Sequence, residues 1–204
     1  TTSSSDVPTT SQTYGADIRT YKVDFGLQYE QHLNKKNSIT LGVTYGLGHN
    51  IDRNATYNIN RSTSATTMSD TTLTCKNAFQ LPHTLGVGLT WTHNNSLRVG
   101  IDYTWQKWDN IKYPTIITNA DQTLSYVTQK GFFNNSHKVS IGAEYIPNED
   151  GLRWRQHVRY RAGVSYGTSY AKVKGNKGPH DFLASIGVAL PIANLYNNRS
   201  FISL

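Results

Sequence analysis

A chain of 204 residues can form one large all-β domain or two small ones. Its 37% hydrophobic content and mean hydropathy of -0.52 look water-soluble, yet a β-barrel needs apolar side chains only at alternate positions, so a membrane is not excluded. A spanning helix is excluded, because no stretch nears the ~20 apolar residues it requires. The net charge of +7 comes from scattered basic residues without interleaved aromatics, which leaves no nucleic-acid footprint.

Residues 1–17 read as loop. Nothing near Thr1 resembles a signal peptide, so the chain is expected to begin after processing or partway along a longer protein. From Tyr21 onward one pattern repeats. Tyr21, Val23, Phe25, Leu27 and Tyr29 alternate with Lys22, Asp24, Gly26, Gln28 and Glu30. Ile39, Leu41, Val43, Tyr45 and Leu47 alternate with Thr and Gly. A long polar stretch over residues 49–80 follows. It holds Cys75, a lone cysteine that can form neither an intrachain disulfide nor a zinc cluster and is expected at a loop or strand end without chemistry. Asp70-Thr71-Thr72 resembles an O-glycosylation acceptor, a triplet that a Thr-rich loop also produces by chance. Asn54-Ala55-Thr56 and Asn60-Arg61-Ser62 match the N-glycosylation pattern, which means little in bacteria lacking that pathway.

Alternation resumes at Leu85, Val87, Leu89 and Trp91, then at Leu97, Val99, Ile101, Tyr103 and Trp105. A second long connection, residues 107–137, contains Ile116, Ile117, Leu124, Tyr126, Val127, Phe132 and Phe133. These are expected either to pack over a barrel mouth or to collect a hydrophobic substrate. Further segments follow at Val139–Tyr145, Val158–Tyr166 and Phe182–Leu190, with a third long link over residues 167–181 and an eighth strand beginning at Phe201. Successive side chains on a strand point to opposite faces, so each segment has one apolar and one mostly polar face. A helix would need apolar spacings of three and four, and glycines on the polar phase would cost it ~1 kcal/mol each.

The links at residues 34–37, 93–95, 147–151 and 193–199 are short and alternate with the three long ones. Short turns on one side and long loops on the other is the habit of outer-membrane barrels. Following the strands alternately down and up places Tyr29, Trp91, Tyr145 and Trp154 near the short-turn side. Tyr21, Tyr45, Trp105 and Tyr166 fall near the long-loop side. All are read as apolar-phase residues, as girdles at two membrane interfaces would be. The expected fold is all-β, a transmembrane antiparallel up-and-down barrel. Since such barrels have an even strand number with both chain ends inside, an odd number of earlier strands and at least one later strand are expected beyond this chain, making residues 1–204 one incomplete barrel domain.

Leu81-Pro82-His83-Thr84-Leu85-Gly86-Val87-Gly88, Leu97 to Trp108, Ile141-Gly142-Ala143-Glu144-Tyr145 and Tyr160-Arg161-Ala162-Gly163-Val164-Ser165-Tyr166 together resemble strands of the FadL-type outer-membrane transporters. The resemblance runs from about Leu81 to Leu204. It implies a fourteen-stranded barrel, of which this chain supplies the sixth to the thirteenth strand. It also implies passive uptake of long-chain fatty acids and other hydrophobic molecules through a lumen closed by a hatch and opened laterally by an early strand. Neither device lies in this sequence, so no gating residue carries over. Some relatives of that family serve instead as subunits of secretion machinery.

The polar phase is expected to face a lumen. Lys22, Arg98, Lys138, Arg159 and Arg161 stand there against Asp24, Glu30, Asp102 and Glu144, a near balance that suits cross-lumen ion pairs. The sharper alternative is that Arg159 and Arg161, close together on one face, hold a carboxylate substrate, because the planar guanidinium fork can donate two parallel hydrogen bonds to it. Arg98 and Asp102 join them as candidate substrate-binding residues of the lumen. His83, His93, His137, His157 and His180 have serines nearby in sequence, but none lies in a nucleophile motif. Metal-ligand spacing is absent, so neither enzyme activity nor a cofactor is expected. Uptake of hydrophobic small molecules is the leading expectation, and an accessory subunit of an outer-membrane secretion or assembly complex is the alternative. Membrane lipids, a hydrophobic substrate and outer-membrane proteins are the expected partners.

Overall fold

The computed structural model describes residues 9–62, 67–148, 153–173, 175–192 and 200–203. They fall into two compact units. One comprises residues 1–22, Gly48–Pro82 and Asp109–Phe133, and the other Val23–Leu47, His83–Trp108 and Asn134–Leu204.

The second unit is an eight-stranded antiparallel sheet. Its strands are β1 (Asp24–Asn34), β2 (Asn37–Gly46), β3 (His83–His93), β4 (Leu97–Lys107), β5 (Ser136–Tyr145), β6 (Arg159–Thr168), β7 (His180–Ile192) and β8 (Ser200–Ser203). They lie in chain order across the sheet, each hydrogen-bonded to its neighbours in sequence. All seven segments expected from alternation are strands, and so is the eighth expected to begin at Phe201. β1 begins later than the alternation at Tyr21 suggested and runs to Asn34, with a register shift between His32 and Asn34.

Register aligns the apolar positions into rows perpendicular to the strands. One row is Tyr29, Leu41, Leu89, Ile101, Ile141, Val164 and Ala184, and the next is Leu27, Val43, Val87, Tyr103, Val139, Tyr166 and Phe182. A one-residue slip would turn every such side chain to the other face, so the apolar phase and the pairing specify each other. The opposite face carries Gly, Thr, Ser and charged residues. Among the described residues, β1 and β8 are the two edges, and the sheet is not closed.

Turn chemistry sets the register at the short-link end. Between β3 and β4, Asn94 and Asn95 both have positive φ, 50° and 53°. The turn is closed by Ser96 N–H donating to His93 O at 3.0 Å. Positive φ at both its central residues matches the twist of the strands, and Asn adopts it more readily than most residues. Between β1 and β2, Asn34 Oδ1 accepts hydrogen bonds from the backbone N–H groups of Lys36 and Asn37, both at 2.9 Å. Neighbouring turns are tied together, Asn94 N–H donating to Lys36 O at 2.6 Å and Ile146 N–H to Ser96 O at 2.7 Å. The link from β5 to β6 contains a 3-10 turn, Trp154–His157, whose Trp154 indole donates to Pro191 O at 2.7 Å. The short link at residues 193–199 lies outside the described residues, as does part of that at 147–151.

The first unit corrects the reading of residues 49–80 and 107–137 as loop. Strands Ala55–Ser62 and Thr67–Cys75 form a three-stranded antiparallel sheet with Thr9–Ala16, itself in a segment read as loop. Tyr113–Thr118 and Leu124–Gln129 form a hairpin. Apolar alternation in them is brief (Ala55, Tyr57 and Ile59; Leu73 and Cys75) and gives way to polar residues on both faces, so the segments blend with a polar loop. Their abundant Thr still favours extended backbone. They share a small core of Ala55, Tyr57, Cys75, Ala78 and Tyr126, flanked by Ile59, Leu73, Phe79 and Ile116. Tyr126 and Ile116, two of the apolar residues singled out in the second long connection, are thus packed within this unit, whereas Leu124 and Phe132 stay exposed.

Candidate functional site

On the polar face, pairing builds one charged cluster. Arg98 and Glu144 are Cα partners across β4 and β5, and Glu144 and Arg161 across β5 and β6. Arg161 Nε donates to Glu144 Oε2 at 2.6 Å. The other carboxylate oxygen lies 4.0 Å from Arg98 Nη1 and 3.9 Å from Arg159 Nη1. Glu144 is 16% exposed in its side chain, against 61% for Arg98 and 48% for Arg161. One enclosed carboxylate therefore anchors three guanidinium groups and leaves the cluster net positive.

Three of the four lumen candidates, Arg98, Arg159 and Arg161, are brought together; Asp102 is not. It sits along β4 beside Gly88, where a Cβ would collide with its carboxylate, in a cleft also lined by Gly42, Thr44 and Gly86. Glu144 is the member that sequence reasoning left out of the site. Its signal is its place in the row, opposite two arginines once the strands are paired. Nearer the short links the same face opens a polar recess of about 720 Å³, whose walls include Gln28, Glu30, Lys36, Thr90 and Arg98. Among the described residues no group of three His, Cys, Asp or Glu is placed to hold a metal ion.

On the apolar face, Tyr45 and Trp105 lie toward the long-link end with Phe25, Leu85 and His137 in one row, and Tyr166 lies one row further in. Trp91 and Tyr145 lie toward the short-link end. Tyr29 is more central than the sequence suggested, because β1 extends to Asn34. Trp154 belongs to the 3-10 turn and not to a strand phase. The long-link end also holds three tyrosine–histidine pairs. Tyr45, Tyr103 and Tyr166 place their hydroxyls 2.8, 2.7 and 2.8 Å from Nδ1 of His83, His137 and His180. All three histidines are exposed.

The sequence model of the family described as BamG matches residues 2–202. No curated protein matches the sequence. A solved structure, the CymD monoaromatic hydrocarbon channel, is similar at 18% identity with a TM-score of 0.46. The match covers 83% of this chain, which spans 41% of that channel.

Proposed function

The chain belongs to the BamG family, and from that premise we propose that it is an outer-membrane β-barrel protein acting as an accessory subunit of an outer-membrane protein assembly complex. The observation that carries the membrane reading is the apolar face of the eight-stranded sheet. Leu27, Phe182 and Ile186 are 75%, 74% and 89% exposed, and Leu89, Ile101, Ile141 and Val164 are all exposed in the middle of the sheet. Fully burying such a side chain is worth about 1.5–3 kcal/mol, so leaving two rows of them in water would forfeit on the order of 10–20 kcal/mol. That equals or exceeds the ~5–15 kcal/mol by which a domain is stable. A lipid environment removes the penalty, and the polar face then lines an interior, as in barrels.

The assembly role is supported by the family, whose name ties it to the Bam complex. The polar face fits such a role. Four of its charges, Arg98, Glu144, Arg159 and Arg161, engage one another across three strands, an arrangement that stiffens that part of the wall. Affinity purification of the full-length protein from detergent-extracted outer membranes tests the proposal. Stoichiometric co-purification of an outer-membrane assembly protein is expected, together with reduced levels of other barrel proteins on depletion. A protein that purifies alone, with barrel levels unchanged on depletion, overturns it.

Passive uptake of hydrophobic small molecules is the second reading, favoured by the exposed Tyr113, Leu124 and Phe132 in the 109–133 segment. Under it, depletion would lower uptake of a fatty acid or hydrocarbon and leave barrel assembly intact.

A further inference from the structure

We propose that the long-link edge of the apolar face recognises the phosphate of anionic lipid head groups through its repeated tyrosine–histidine pairs. The inference rests on the membrane reading above and adds a ligand to it.

The same device occurs three times. In each case the tyrosine lies on the strand leading into a long link (β2, β4 or β6) and the histidine on the strand returning from it (β3, β5 or β7). The histidine stands two residues before the tyrosine's Cα partner: Leu85 faces Tyr45, Val139 faces Tyr103 and Phe182 faces Tyr166. This diagonal is within reach of aromatic side chains. The ring centroids are 5.9, 6.2 and 5.6 Å apart, and in each pair the phenol oxygen meets Nδ1. A hydrogen bond from the phenol to Nδ1 selects the tautomer with its hydrogen on Nε2, at the far side of the ring.

The surrounding chemistry identifies the ligand. Lys107 is the Cα partner of His83 and shares the apolar phase of Tyr103 and Trp105. Thr168 is the partner of His180. The charged neighbours Lys138 and Asp181 follow His137 and His180 in the chain and therefore belong to the opposite phase. Among the described residues, this edge of the apolar face thus presents the imidazoles of His137 and His180 and the ammonium of Lys107, while the Thr168 hydroxyl is engaged with the His137 backbone, and no carboxylate of β2 to β7 shares their phase. An acceptor-only anion fits such a set. Because the rows beside it are apolar and exposed, the anion that reaches it is one carried at the boundary of a hydrocarbon layer, a lipid phosphate. His137 and His180 are the residues on which recognition is placed.

The test uses full-length protein in nanodiscs of phosphatidylcholine with a minority of phosphatidylglycerol, reading retained lipid by native mass spectrometry. Phosphatidylglycerol should be enriched roughly fivefold around the wild type, the scale of one ordinary net hydrogen bond. Enrichment should fall to near parity in the double variant His137→Phe and His180→Phe. The pair Tyr103→Phe and Tyr166→Phe, which keeps every ring, should lose part of it and serves as the deciding variant if the histidine changes prevent folding. Insertion without enrichment, or enrichment unchanged in the variants, overturns the inference and leaves the membrane reading standing. Failure of the wild type to insert overturns the membrane reading itself. Loss of enrichment on adding excess inorganic phosphate would reassign the row to a soluble ion and likewise overturn the proposal.

Discussion

Glu144 is the carboxylate on which Arg98, Arg159 and Arg161 converge, so its removal strands three cations at once. Two of those arginines are about half exposed or more, which holds each of their pairs near the ~0–1 kcal/mol of an exposed ion pair. The carboxylate itself is largely enclosed, and Glu144→Gln should lower stability by about 1–2 kcal/mol in sum, more than Arg98→Gln does. Urea titration in detergent checks this, and equal midpoints for the two variants would show that the cluster does not act through Glu144. Cys75 illustrates burial of another kind. At 4% exposure its thiol is pushed above the ordinary range by desolvation, because the thiolate would lose its hydration. The sign follows from that direction. The protonated thiol contributes stability that is complete below the unfolded-state pKa and is lost as pH rises through the higher folded value. Alkylation of Cys75 by iodoacetamide should therefore be slow near neutral pH and speed up at alkaline pH or in Tyr126→Ala, which opens its core. Rapid labelling of the native protein at neutral pH would contradict the packing.

At the scale of elements, the hairpin turns do more than connect. Asn94 and Asn95 hold positive φ, and Asn95→Val should cost about 1–2 kcal/mol because a β-branched residue resists that conformation. Asn95→Gly should be nearly neutral. Thermal unfolding of the two variants separates backbone strain from side-chain loss, and a Gly variant as damaged as Val would refute the argument. The seven long strands were legible in the sequence because one face must be apolar and the other polar, which writes a period of two into segments such as Leu97–Lys107. Thr9–Ala16, Ala55–Ser62 and Thr67–Cys75 were not legible. They bury only a few residues, so most positions carry Thr, Ser or Asn on either face. The site was half legible for a related reason. Arg98, Arg159 and Arg161 could be assigned to the polar phase from alternation alone. That Glu144 gathers them, and that Asp102 stands apart, depends on which residues pair across three strands.

For the whole molecule, the decisive comparison is between adjacent residues on opposite faces of one strand. Ile141→Arg should cost about 2–4 kcal/mol at the middle of a lipid-facing band, whereas Ser140→Arg on the interior face should be tolerated. Recovery of each variant in the outer-membrane fraction reads the difference, and equal recovery would remove the lipid-facing assignment. The order of the sheet has a separate consequence. Among the described residues, every strand of the eight-stranded sheet bonds only to the strands before and after it in that sheet, so dividing the chain between β5 and β6 yields two contiguous blocks that meet within the sheet along one antiparallel seam, Lys138–Tyr145 against Tyr160–Gly167. Two co-expressed fragments have one seam to find and no threading to undo. The eight-stranded sheet is thus modular along its chain, and a cut at the short link between β5 and β6 leaves all three segments of the first unit together in the earlier block.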